Sequence, residues 1–307
     1  MSVVVMGSGG VGGYFGARLA RAGQGVTFVA RGAHLEAIRR EGLRVRSTIE
    51  GEYVVKAEAV ERLDGRPRAD MVLLCVKAFD TDAALLAVRP VVGPETAVLS
   101  LQNGVESAEK IEAALGPGHA LGGVAYVFAA IEAPGVIAHR AAGRIALGEF
   151  DGRLTSRSQR LRDVFAVAGV PADLSTEIPR VLWEKYVFIC AHAAVTAVTR
   201  CPIGTARSVP ETWRLYRTLV EEGAALAAAA GVPLGADVVD RTMAAASTLA
   251  SETTSSLAYD LARGRRLEVE GLHGYAVRLG ERLGVPTPAL FAVYAALKPH
   301  ADGNRTG

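Results

Sequence analysis

Gly7-Ser8-Gly9-Gly10-Val11-Gly12 is a G-x-G-x-x-G run, the spacing by which a helix start offers backbone N–H groups to a pyrophosphate. The first glycine permits a tight turn, the second lets the backbone approach the phosphates, and the third lets helix and strand pack closely. Arg31 stands where a second apolar run, ending Val29-Ala30, gives out. An NAD site usually carries Asp or Glu there for the ribose hydroxyls; here the nearest carboxylate, Glu36, falls inside the next helical stretch. A guanidinium in that place suits a 2′-phosphate, which favours NADP; a surface arginine at a strand end is the plainer alternative. Lys77 and Asn103 follow two further apolar runs, MVLLCV and TAVLSL. Residues just past strand carboxyl ends line the ligand crevice of a doubly wound sheet. A lysine there can meet an anionic cofactor or substrate, and an asparagine can both donate and accept. A loop lysine and an Asn-Gly turn explain the same residues, and at this level both readings stay open.

The elements around these residues follow from periodicity. Residues 2–6 are a β-branched apolar run, YFGARLARAG is helical, QGVTFVA is a second strand, and His34–Arg40 is helical. That is β-α-β near the N-terminus, the unit of a parallel sheet. A strand-like stretch with a Gly turn spans 43–60, strands cover 71–76 and 96–101, and helices cover about 80–89 and 105–115. Residues 121–150 alternate and turn at Pro134-Gly135, as a hairpin would. Beyond about 176 strand runs vanish. Ala- and Leu-rich helical stretches follow at 178–199, 210–231, 235–262, 267–284 and 287–297, then a polar tail, ADGNRTG. The reading is an α/β, Rossmann-type doubly wound half (1–176) followed by an all-helical half (177–307), with the ligand crevice expected between them.

The 307 residues are half hydrophobic and 21% charged, which excludes disorder for most of the chain. Lys plus Arg number 34 against 32 acidic residues, a net charge of +2 that argues against nucleic acid as a partner. Cys75, Cys190 and Cys201 lack disulfide or metal-ligand spacing, so no metal is expected, and their apolar neighbours fit buried thiols in a reducing, cytoplasmic setting. No run of about 18 uninterrupted apolar residues speaks for a membrane span, and the N-terminus reads as a strand rather than a signal peptide.

Taken in order and spacing, GSGGVGGYFGARLA, ARGAHLEAIRREGLRV, VKAFDT, LQNGVE, APGVIAH, WEKY and SSLAYDLARGRRLEVEGLHGYAVRLGERLGVPTP resemble the ketopantoate reductase (2-dehydropantoate 2-reductase) family over nearly the whole chain. The resemblance implies a helical domain like that of 6-phosphogluconate dehydrogenase, and NADPH-dependent reduction of a small-molecule 2-oxo acid within pantothenate biosynthesis. It assigns the proton donor to Lys185 and cofactor contacts to Lys77 and Asn103, with Asn103 also meeting substrate. It assigns the substrate carboxylate to Ser256, support of cofactor and substrate to Glu268, and a backbone cofactor contact to Ala130. Lys185 would protonate the carbonyl oxygen, its pKa lowered by partial burial. Without the resemblance it reads as a surface lysine on an amphipathic helix, Glu268 as a helix-start carboxylate, and Ser256 as a serine bonded to its own turn.

The chain departs from the family at Ile189, Ala193 and Ile203, where the family carries asparagines. Residues i, i+4 and i+8 share a helix face, so Lys185, Ile189 and Ala193 read as one stripe turned apolar. The expectation is a less polar or bulkier 2-oxo acid or ketone. His192 is either a second polar group on that face or a packing residue. A non-catalytic NADP sensor and a hydroxyacid dehydrogenase on the same plan remain alternatives. Oligomeric state is left open, with a homodimer among the expectations.

Overall fold

β1 (Ser2–Met6) shows how the first half is assembled. Val3 and Val5 enter one apolar cluster and Val4 and Met6 another, because successive side chains of a strand point to opposite faces. The strand is therefore buried on both sides, which is why it reads as an unbroken apolar run. The computed structural model describes residues 1–304. Contacts divide the chain into two units, residues 1–102 with 106–178, and residues 103–105 with those from 179 onward.

The first unit runs β1, α1 (Gly10–Arg21), β2 (Gly25–Val29), α2 (Gly32–Glu41), β3 (Leu43–Ser47), β4 (Gly51–Val55), β5 (Glu58–Val60), β6 (Met71–Leu74), α3 (Thr81–Val88), β7 (Ala97–Ser100), α4 (Ser107–Leu115), β8 (Ala120–Ala133), β9 (Val136–Gly148), α5 (Ser156–Val167) and β10 (Ala172–Leu174). Six strands lie in the order β5-β2-β1-β6-β7-β8, all parallel. This is the dinucleotide-binding order, whose switch point falls between β1 and β6. β8 turns at Pro134-Gly135 into antiparallel β9, which pairs with β3 and β10, and β3 in turn pairs with β4 at the edge. Phe15 and Leu19 of α1 and Leu35 and Ile38 of α2 cover one face; Leu85 and Val88 of α3 and Ile111 of α4 cover the other.

The second unit holds α6 (Ile178–Thr199), α7 (Ile203–Ser208), α8 (Pro210–Ala229), α9 (Val238–Ser247), α10 (Ser256–Ala262), α11 (Tyr275–Leu283) and α12 (Pro288–Leu297). α6 is long and apolar enough to cross a membrane, but two-thirds of its most apolar window is buried within the protein. Tyr186, Val187, Cys190, Ala191, Ala194 and Val195 are among its contributions to the core. Glu222 of α8 accepts from the Ala289 and Leu290 N–H groups at 2.8 Å each, capping α12 with a carboxylate.

The structure differs from the sequence reading in four places. α5 and β10 occupy a stretch left unassigned. α5 buries only Ser158, Leu161 and Phe165, too sparse for a periodic signal, and is started by the Thr155–Ser158 capping box. α7 fills the gap after α6 and begins at Ile203. The 235–262 stretch is two helices, because Ser255 caps a new start by accepting from Ala258 N–H at 3.0 Å. The 267–284 stretch opens as a single π turn, Glu270–Gly274, before α11. Of the polar tail, residues 301–304 are tied back, Asn304 N–H to Gly264 C=O at 2.8 Å; residues 305–307 lie outside the described residues.

Candidate active site

The glycine run forms the turn from β1 into α1, beside the switch point. Gly7 has φ +97°, a conformation L side chains rarely adopt. A Cβ on Gly9 would meet nothing within 4 Å, so the backbone there faces open space. A Cβ on Gly12 would overlap the Gly7 carbonyl oxygen and stand 2.9 Å from Cys75 Cβ, so this glycine lets α1 pack on the sheet. α1 has neither a side-chain cap nor an acidic residue in its first turn. Its leading N–H groups, from Gly10, Val11 and Gly12, are thus left for an anion. Ser8 points the other way: it is buried, and its hydroxyl donates to Val29 C=O at 3.0 Å. As a cofactor contact Ser8 can offer backbone alone, because its side chain is committed to holding the loop on β2. Ala130 lies beside the loop, for a Cβ on Gly10 would overlap the Ala129 carbonyl oxygen and approach Ala130 N to 2.8 Å.

Arg31 is the N-cap of α2, two residues past β2, exposed and without an ion pair among the described residues. Lys77 is half-buried past β6, at the start of a short 3-10 turn, Ala78–Asp80. The end of β7 is tied to the same loop: Gln102 Nε2 donates to Val76 C=O at 2.9 Å and to Thr81 Oγ1 at 2.8 Å. Asn103 comes next, half-buried, and groups with the second unit. Val105 packs on that unit's core, and a Cβ on Gly104 would lie 3.7 Å from Gly271 C=O. Asn103 therefore sits close in sequence and space to the turn that follows Glu268.

Lys185 is on α6. The residue is half-buried. Burial pushes the ammonium down to about 8, against the Glu268 carboxylate, which raises it. Glu268 is itself buried, in the approach to the π turn. A lysine poised near neutrality beside a carboxylate can give up or take a proton. Ile189, one turn on, is half-buried. Ala193 is only 4% exposed and Ile203 is fully buried, both in the helical core. The expected stripe therefore shortens to Lys185 and Ile189. At 3.6 residues per turn, i+8 has drifted about 80° round the helix, and here that rotation carries Ala193 inward. Ser256 opens α10 and is exposed; Ser255, accepting from Ala258 N–H at 3.0 Å, is the residue that bonds locally, and it also accepts from Thr196 Oγ1 of α6 at 2.8 Å. His192 is buried and stacked on Phe188, a packing residue with Nδ1 unpartnered. Burial raises the Cys75 and Cys190 thiols to about 12, so both are inert.

Sequence reasoning missed His34. Its Nε2 donates to Ser8 C=O at 2.9 Å and its Nδ1 accepts from Gly135 N–H at 3.0 Å, so one ring joins the glycine loop to the hairpin turn. It also missed Gln102, Tyr186 and His273. Gln102 lies inside LQNGVE, Tyr186 inside WEKY and His273 inside the long motif that begins SSLAYD, and that adjacency was their one signal.

A glycine loop at the switch point of a parallel sheet, followed by a helical unit whose half-buried lysine is influenced by the charge of a buried carboxylate, has the plan of a two-domain oxidoreductase. Residues 3–152 match the family model for ketopantoate reductase PanE/ApbA, and residues 177–301 match that for its C-terminal domain. A 2-dehydropantoate 2-reductase of Mesorhizobium japonicum is 31% identical, covering 97% of each chain. The crystal structure of a PanE/ApbA family ketopantoate reductase from Ralstonia eutropha JMP134 has TM-score 0.90 at 37% identity, covering 98% of each chain. A D-mandelate dehydrogenase solved with NADH and anilino(oxo)acetate shares the fold, at TM-score 0.91 and 21% identity over 98% of each chain. The chain belongs to the ketopantoate reductase family of oxidoreductases.

Proposed function

We propose that this protein reduces a 2-oxo acid to the 2-hydroxy acid, with NADPH as hydride source and Lys185 as proton donor. The observation that carries the reading is the half-buried Lys185, whose ammonium burial brings down to about 8 while the charge of the buried Glu268 supports it. The open backbone at Gly9, the uncapped start of α1 and the exposed Arg31 suit the pyrophosphate and 2′-phosphate of the cofactor. When bound, NADPH supplies the hydride that adds to the carbonyl carbon. Lys185 gives its proton to the carbonyl oxygen, so a hydroxyl forms and the amine is left neutral, to be recharged from solvent. The positive charge also stabilises the oxyanion as it develops. Asn103 can hold the substrate and the nicotinamide ribose, and Ser256 the substrate carboxylate.

NADPH oxidation with ketopantoate tests this, in the wild type and in Lys185→Ala. Loss of about a hundred- to ten-thousand-fold in kcat, with NADPH affinity kept, is expected for a general acid. Retained turnover in Lys185→Ala refutes the role, and NADPH binding without turnover of any 2-oxo acid favours a sensor. The wild-type kcat/KM for reduction should fall above about pH 8 as the ammonium deprotonates, while oxidation of the hydroxy acid rises through the same range.

A second reading concerns the substrate. Ile189 stands half-buried one turn from Lys185 where the family has an asparagine. An alkyl group there leaves a substrate hydroxyl unpaired, at about 1–3 kcal/mol. Branched or aromatic 2-oxo acids are then expected to exceed ketopantoate in kcat/KM; clear preference for ketopantoate overturns this.

A further inference from the structure

The stretch between Glu268 and α11 is a π turn rather than a continued α-helix, closed by Gly274 N–H to Val269 C=O at 2.8 Å. Such single wide turns recur at functional sites. This one is bonded to α6 twice. Tyr186 Oη donates to Leu272 C=O at 2.7 Å, and His273 Nε2 donates to Cys190 C=O at 2.9 Å. Tyr186 and Cys190 are four residues apart, one above the other on α6, and they immediately follow Lys185 and Ile189. The turn is bonded to Glu268 in its own right, through Leu272 N–H to Glu268 C=O at 3.1 Å. A continuous path of backbone and short hydrogen bonds thus runs from the helix that carries the lysine to the residue that carries its carboxylate.

His273 is an unusual choice for a structural pin. It is fully buried, its Nδ1 has no partner, and burial lowers it to about 4, so it works as a neutral ring donating from Nε2. An apolar side chain would fill the same space without stranding a nitrogen. What the ring adds is a donor aimed at α6.

We propose that His273 and Tyr186 are positioning residues that lock the π turn to α6 and thereby fix Glu268 against Lys185. The proposal rests on Lys185 as the proton donor. Other carboxylates near these elements are engaged elsewhere: Glu184 with Arg180 and Arg241, Glu270 with Arg278, Lys298 and Tyr294. Glu268 is the one that raises the Lys185 ammonium. Loosening the lock should let Glu268 drift, so the ammonium loses that support and deprotonates at lower pH.

The test compares Tyr186→Phe, His273→Leu and His273→Gln with the wild type, using NADPH and the best 2-oxo acid. Tyr186→Phe removes one oxygen and keeps the ring, so it reports even where His273→Leu fails to fold. Tyr186→Phe and His273→Leu are expected to lose about tenfold in kcat, with KM for NADPH within about twofold and the alkaline limb of kcat/KM moved to lower pH. His273→Gln, which keeps a donor, should recover part of both. Folded variants with wild-type kcat and an unmoved limb overturn the lock. Lys185→Ala separates the two ideas, since its retained activity would sink the proton-donor reading itself, whereas its inactivity beside unaffected lock variants sinks the lock alone.

Discussion

Arg31 and Lys185 show how differently two cations of one chain can be placed. Arg31 is exposed at the start of α2, a helix with no acidic residue in its first turn, so nothing local competes for its charge. A charge-assisted pair with a 2′-phosphate is worth about 1.5–3 kcal/mol, or roughly ten- to a hundredfold in affinity. Arg31→Ala should weaken NADPH by about that factor and leave NADH nearly unchanged, as read by fluorescence titration; equal losses for both would move the arginine out of the phosphate site. Lys185 is the opposite case, a half-buried cation whose charge desolvation disfavours. The unfolded chain holds this proton to about pH 10.5 and the folded chain releases it near 8. Stability therefore rises between those pH values, where the unfolded state binds more protons. Lys185→Met should be inactive yet melt at higher temperature than the wild type at pH 7, with the gap closing as pH climbs past 8. A lower melting temperature at pH 7 would mean that the half-buried charge is not a burden.

At the scale of elements, loops at strand ends are held by side chains that do no chemistry. His34 bridges the glycine loop and the hairpin turn, accepting with one nitrogen and donating with the other. That pattern requires a neutral ring, and burial lowers its pKa accordingly. The unfolded state takes up the proton near 6.5, so this contribution is present above that pH and is lost as pH falls below it. His34→Ala should weaken NADPH binding at pH 7.5, and the stability difference from wild type should shrink in acid, checked by urea unfolding at both pH values. A difference independent of pH would assign the ring to packing. Gln102 makes a comparable tie between the ends of β6 and β7.

For the molecule as a whole, a cofactor that binds only the folded chain must stabilise it. At a hundred times its Kd, NADPH should add about 2.7 kcal/mol. Hydrogen exchange should slow most at residues 7–13 and 31–33, where uncapped helix starts expose N–H groups. Protection confined to the helical unit would place the nucleotide elsewhere. The parallel strands were legible because short continuous apolar runs such as MVLLCV suit strands covered on both faces. α5 was not, because three buried residues in twelve leave no stripe to read.

Sequence alone determined the glycine loop, the missing acidic residue after β2, the lysines and asparagine at strand and helix positions, and the split into sheet and helices. These are local: they depend on spacing along the chain, which residue order records directly. Tertiary structure decided that Ser8 faces inward, that Ala193 and Ile203 belong to the core, that Ser255 rather than Ser256 caps α10, and that the charge of Glu268 acts on Lys185. Each of these depends on a helix's rotation or on a partner distant in the chain, and no periodicity of one segment specifies what another will pack against it.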